Sequence, residues 1–208
     1  MKTTAIDSYK PRLANRSSRS ADSAIPILKS LRSLALPAVR DNETTIQLAE
    51  AQASYLRELL GSGEGRFDAS LLGKIPRVEV RTDDILPVAG TVYWTQGSWH
   101  IELNGNDSEP DRRFALLHEF KHIIDHPLTD RLYTGTAAEA ARQQEQAADY
   151  FAACVLVPEH QLRQAVACLP SVAVICAYFG ASETCIEQRL SDVSLRHNTS
   201  SHPIEVTS

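Results

Sequence analysis

His118-Glu119-Phe120-Lys121-His122 sets two imidazoles four residues apart with a carboxylate between them. On a helix advancing 100° per residue, His122 falls about 40° and Glu119 about 100° from His118, so all three share one side. Two histidines at this spacing supply two of the three protein ligands that a catalytic zinc requires, and the fourth position stays open for water or substrate. Glu119 lies beside such a metal without being spaced to bind it. A water acidified by zinc to near neutrality would give up its proton to a carboxylate placed there. Leu116, Leu117, Phe120, Ile123 and Ile124 occupy the opposite arc, so the same helix presents a core-facing surface.

The third ligand must come from elsewhere in the chain, and Glu145 is the candidate. Taking Glu145 as zero, Asp149 lies at about 40°, with Ala141, Ala148 and Ala152 within about 60° of the same direction. Small residues on this face let one helix approach another closely enough for Glu145 to complete a His, His, Glu set. Asp149 could then accept a hydrogen bond from a ligand histidine and hold its ring. Tyr133, in the segment joining the two site helices, is a candidate phenol donor to the oxyanion of a tetrahedral intermediate. Weaker candidates are His126, read as a solvated histidine at a helix end, and His100, read as a surface residue of a strand. Trp94 and Trp99 flank a turn and are expected to pack on a sheet.

Ser108-Glu109-Pro110-Asp111 has the form of a helix start, with a capping hydroxyl, a carboxylate three residues on and proline in the first turn. The zinc-motif helix is expected from Glu109 to Asp125, ending before Pro127. A loop of about ten residues, PLTDRLYTGT, precedes a second helix from Ala137 to Leu156 that Pro158 stops. Upstream, Ile46, Ala49, Ala53, Leu56 and Leu60 recur at helical spacing and end at Gly61-Ser62-Gly63. RVEVRTDDIL and GTVYWTQGSWHIEL alternate with period two, with Gln96-Gly97 as a hairpin turn. After the second site helix, EHQLRQAVACL, SVAVICAYFG and ETCIEQRLSDV read as short helices.

The chain has 208 residues, 43% of them hydrophobic and 23% charged, and a formal net charge of −5. That composition is ordinary for a soluble globular protein, and no uninterrupted apolar run is long enough to span a bilayer. Residues 1–40 hold eight Lys or Arg against Asp7 and Asp22. They are read as a basic, flexible arm, with a transit peptide as the alternative. Cys154, Cys168, Cys176 and Cys185 contain no CxxC pair and are read as buried, reduced thiols, which favours a cytoplasmic setting.

RRFALLHEFKHIIDH, the preceding WHIELNG, and QEQAADYFAACVLVP together resemble the ImmA/IrrE family of zinc metallopeptidases. The resemblance spans about residues 75–195. It implies His118, His122 and Glu145 as zinc ligands and Glu119 as general base, in agreement with the spacing argument. It also implies, as substrate, a helix-turn-helix repressor or an antitoxin-like regulator. Phe120-Lys121 departs from the smaller residues common in the family, and Cys154-Val155-Leu156-Val157 from its usual Leu-Leu-Met run; neither touches a ligand.

The expected fold is α+β: a zincin-like metallopeptidase core with a small antiparallel sheet of about three strands packed on helices, plus a C-terminal helical segment. The expected division is an arm over 1–40, a metallopeptidase core over 41–160, and a helix-turn-helix-like segment with a disordered tail over 161–208. The expected activity is zinc-dependent hydrolysis of a peptide bond in a regulatory protein such as a transcriptional repressor. The alternatives are a non-catalytic, zinc-stabilised regulator or protein-binding module of phage or toxin-antitoxin type, and a zinc hydrolase acting on a non-peptide bond. Membrane association is not expected. Direct DNA binding is disfavoured because Arg189 stands against Glu183, Glu187 and Asp192 in the C-terminal segment.

Overall fold

The computed structural model describes residues 27–35 and 42–200. Within them, helices α1 (Ile27–Ser33) and α2 (Asn42–Leu59) lead to a 3-10 turn over Ala69–Lys74. Strands β1 (Val78–Asp83), β2 (Gly90–Thr95) and β3 (Ser98–Asn104) follow. The chain then forms α3 (Glu109–Asp125), the short α4 (Thr129–Leu132), α5 (Ala137–Leu156), α6 (Glu159–Cys168), α7 (Val172–Phe179) and α8 (Glu183–Ser200). The fold is α+β. Residues 1–26 of the expected arm and 201–208 of the expected tail lie outside the described residues.

The sheet corrects one expectation. Its strand order is β1-β3-β2; β2 pairs with β3 antiparallel, but β1 pairs with β3 in parallel, Val78 opposite Trp99. The hairpin is tightly specified: Gln96 and Gly97 both take positive φ, 50° and 85°, the condition for a two-residue turn that matches strand twist. Nothing local specifies where β1 joins. β3 carries the buried Ile101 and Leu103 and so takes the centre, where it is covered on both edges. The connection from β1 to β3 then includes β2 itself, long enough for a parallel pairing.

α3 starts as its sequence requires, with the Ser108 side chain accepting from the Asp111 N–H and proline in the first turn. It buries Leu116, Leu117, Phe120, Ile123 and Ile124 against the sheet and α5. Its C-terminal end is held by α1. Arg32 donates from Nε to the Ile124 carbonyl (3.0 Å) and from Nη2 to that of Ile123 (2.8 Å), a cation on carbonyls that the helix itself leaves unpaired. Leu31 of α1 is fully buried, so this part of the expected arm is docked on the core. α5 opens with a reciprocal capping box between Thr136 and Glu139. α2 packs along α5. Leu162, Ile175, Phe179, Ile186 and Val193 of the last three helices belong to the same hydrophobic cluster as α3 and α5.

Two buried cations tie distant segments together. Arg113 of α3 donates to the carbonyls of Phe67, Phe179 and Gly180, where Gly180 ends α7 in a left-handed conformation. Lys121 and Asp125, one turn apart on α3, form a fully buried ion pair that Tyr133 joins by donating its hydroxyl to Asp125. Phe120 sits among these anchors on the core face with no exposed surface. Phe120→Ala is expected to cost about 3–5 kcal/mol, read as a lower urea midpoint at unchanged slope.

Candidate metal centre

α3 delivers His118 and Glu119, and α5 delivers Glu145 and Asp149, to one open cleft of about 1040 Å³, with His122 one turn further along α3 against the His118 ring. The two helices meet because α5 is small where they touch: Ala148 and Ala152, on the Glu145 side of the helix, are fully buried. Ala141, expected on the same packed face, is exposed one turn before Glu145.

The His118 and His122 Nε2 atoms lie 3.1 Å apart. The Glu145 carboxylate spans both, with Oε2 3.3 Å from His118 Nε2 and Oε1 3.6 Å from His122 Nε2. Donors placed about 2.0–2.1 Å from a tetrahedral zinc are separated by roughly 3.3 Å, so this set fits such an ion. The atoms that His118, His122 and Glu145 could each offer to a metal ion all lie within 4.8 Å of one another.

Each ring is held from behind. His118 Nδ1 is 2.8 Å from Asp149 Oδ1, and His122 Nδ1 is 3.0 Å from Gln144 Nε2. The sequence pattern pointed to Asp149 through its spacing from Glu145. Gln144 was not anticipated, since one of three nearby glutamines (143, 144 and 146) carries no periodic mark that sets it apart.

Glu119 lines the cleft beside Gly90, the first residue of edge strand β2. A Cβ at Gly90 would stand 3.0 Å from Glu119 Cγ and 3.2 Å from its Oε1, so the strand approaches the carboxylate as closely as a glycine permits. Gly90 reads as a plain strand start in the sequence and was also missed. Burial raises the proton affinity of the Glu119 carboxyl; His118 pulls it back, and Glu145 pushes it up again.

Tyr133 is not brought to the site. It is buried and its hydroxyl is committed to Asp125, because α4 turns the segment inward just before it. Burial and the Asp125 carboxylate both push its phenol pKa far up. His126 is exposed and packs edge-on to Trp99, with centroids 4.9 Å apart. His100 is buried rather than on the surface, stacked on Tyr93. Trp94 meets Trp99 across the hairpin. Of the four cysteines, Cys154 and Cys185 are buried, whereas Cys168 is exposed. No helix among the described residues is long and apolar enough to cross a membrane.

A two-helix His, His, Glu cluster over a small sheet is the architecture of a metallopeptidase-like domain, and comparison with known proteins agrees. Residues 83–191, more than half of the chain, match the IrrE N-terminal-like domain (Peptidase_M78). The chain belongs to that family. Its fold is similar to a solved structure of a Mycobacterium tuberculosis transcriptional regulator, with a TM-score of 0.54 and 16% identity, covering 79% of this chain and 51% of that one. The chain thus spans about half the length of that protein, and at this identity the likeness is one of fold. No curated protein sequence matches.

In the metal-free protein the two histidines are expected to titrate on opposite sides of the ordinary imidazole value. Burial opposes the charged form of His118, but the Asp149 hydrogen bond and the surrounding carboxylates outweigh it and raise its pKa; burial and His118 lower that of His122. The raised His118 value contributes stability that is present in full below the unfolded pKa and is lost as pH rises through the folded one. His122 opposes this, destabilising the fold as pH falls below the unfolded value. Ring-proton NMR of the chelator-treated chain reads both midpoints, and Asp149→Asn should move that of His118 downward.

Proposed function

We propose that the protein is a zinc-dependent endopeptidase in which His118, His122 and Glu145 hold the ion and Glu119 is the general base. The observation that carries this reading is the convergence of two Nε2 atoms and one carboxylate at 3.1–3.6 Å, beside a second, half-buried carboxylate, that of Glu119, in an open cleft. A bound zinc supplies a Lewis acid that polarises a carbonyl and acidifies a water. Glu119, next to His118 on α3, would take the proton of the attacking water and pass it to the departing amine nitrogen. The burial that raises its proton affinity suits a group that must both accept and return a proton. Asp149, accepting from His118 Nδ1, would keep that ring turned toward the ion.

The substrate we infer is a regulatory protein such as a helix-turn-helix repressor, acted on in the cytoplasm. Family membership and the regulator-like fold neighbour support a regulatory setting. Direct DNA binding by the C-terminal segment draws no support from the charges there. Arg189 is fully buried, donating from Nε to the Val157 carbonyl, and cannot reach a phosphate.

Glu119→Gln is expected to retain zinc stoichiometry while cleavage falls by at least about 100-fold. The check compares new protein termini after induction of the wild-type chain and of this variant, with metal content measured in parallel. Termini that appear equally with both chains would overturn the assignment of the base. Gly90→Val should also keep the metal yet lose cleavage, because the added branches displace Glu119.

A further inference from the structure

The nitrogen behind each ligand histidine meets a different kind of partner. Both Nε2 atoms face Glu145 and each other, so Nε2 is the atom each ring would offer to an ion and Nδ1 is the atom left over. An imidazole that ligates through Nε2 carries its proton on Nδ1 and must donate it. Asp149, as a carboxylate, can only accept, so it holds His118 in the ligating tautomer before any metal arrives.

Gln144 behaves otherwise, because a primary amide can donate through Nε2 or accept through Oε1, exchanging the two by a half-turn. Its Nε2 faces His122 Nδ1 at 3.0 Å, the arrangement in which the amide donates to a bare Nδ1 and the ring proton sits on Nε2. That tautomer is closed to the metal. Its neighbour Gln143 is occupied with the Thr134 backbone, and Gln146 lines the cleft. Gln144 therefore differs from both in being turned onto an imidazole. Helix α5 in this way supplies one ligand and, from either side of it, a partner for each ring: residue 144 for His122 and residue 149 for His118.

We propose that Gln144 is the positioning residue of His122, presenting its carbonyl oxygen to Nδ1–H when Nε2 takes the metal. Because the amide serves both tautomers, His122 is the ligand whose proton moves on metal binding, while His118 is set in advance. The inference rests on the metal centre proposed above and concerns how that centre loads.

The test is zinc affinity of the full chain, measured by competition with a chromophoric chelator and independent of any cleavage. Gln144→Ala should bind about 10–100-fold more weakly than wild type. Gln144→Glu, of similar length but restricted to accepting, should restore wild-type affinity or exceed it. Imidazole 15N NMR of the metal-free protein at alkaline pH supplies a second readout. His122 should be protonated at Nε2 and His118 at Nδ1 in wild type, and Gln144→Glu should move the His122 proton to Nδ1. Wild-type affinity in Gln144→Ala, or affinity in Gln144→Glu as weak as in Gln144→Ala, would overturn the proposal while leaving the metal centre standing. A wild-type chain that does not bind zinc would overturn both.

Discussion

The close approach of α3 and α5 is the constraint on which the rest of the molecule depends. Two helices commonly pack with axes about 8–10 Å apart, the shorter distances requiring small side chains at the contact. Ala148 and Ala152 meet that requirement and are fully buried. A larger residue at either position would separate the helices and draw the Glu145 carboxylate away from both Nε2 atoms. Much of the remaining architecture reads as support for this one contact. α2 packs along α5, the sheet backs α3, and the last three helices share their hydrophobic cluster.

Buried polar groups set the position of α3 more finely than apolar packing could. Hydrophobic contact has no direction, but a guanidinium placed among carbonyls does. Arg113 joins the first half of α3 to the 67 segment and to the end of α7, and Arg32 joins its last turn to α1. The Lys121–Asp125 pair adds a third anchor, with Tyr133 hydrogen bonded to it. A buried ion pair adds little net stability, yet breaking one is costly, so these groups specify a register rather than deepen the fold. Helix α3 is thereby fixed along its length, as a candidate site built from converging side chains requires.

Two walls of the cleft are unlike, and α8 adds a further one through Cys185, Gln188 and Asp192. Helix α5 brings carboxylates, amides and a half-buried tyrosine, whereas the sheet brings the bare backbone of an edge strand at Gly90, beside Glu119. Glu119 stands where the polar wall meets the backbone wall, and the absence of a side chain at position 90 leaves room for its carboxylate.

Much was determined by the amino-acid sequence alone, because much of it is local. Helical periodicity and capping marked α3 from Glu109 to Asp125 and α5 from Ala137 to Leu156, and the spacing of His118, Glu119 and His122 placed them on the face opposite Phe120 and Ile124. Local signals also marked the Gln96-Gly97 hairpin, since a two-residue turn is specified by its own backbone. Only the tertiary structure decided what depends on segments far apart in the chain. β1 joined β3 in parallel with the most buried strand at the centre, a choice no turn residue encodes. Tyr133 turned into the core toward Asp125 because α4 redirects a segment that reads as a plain loop. Gly90 and Gln144 acquired their neighbours through the packing of β2 and α5 onto α3, and residue type by itself says nothing of who that neighbour will be.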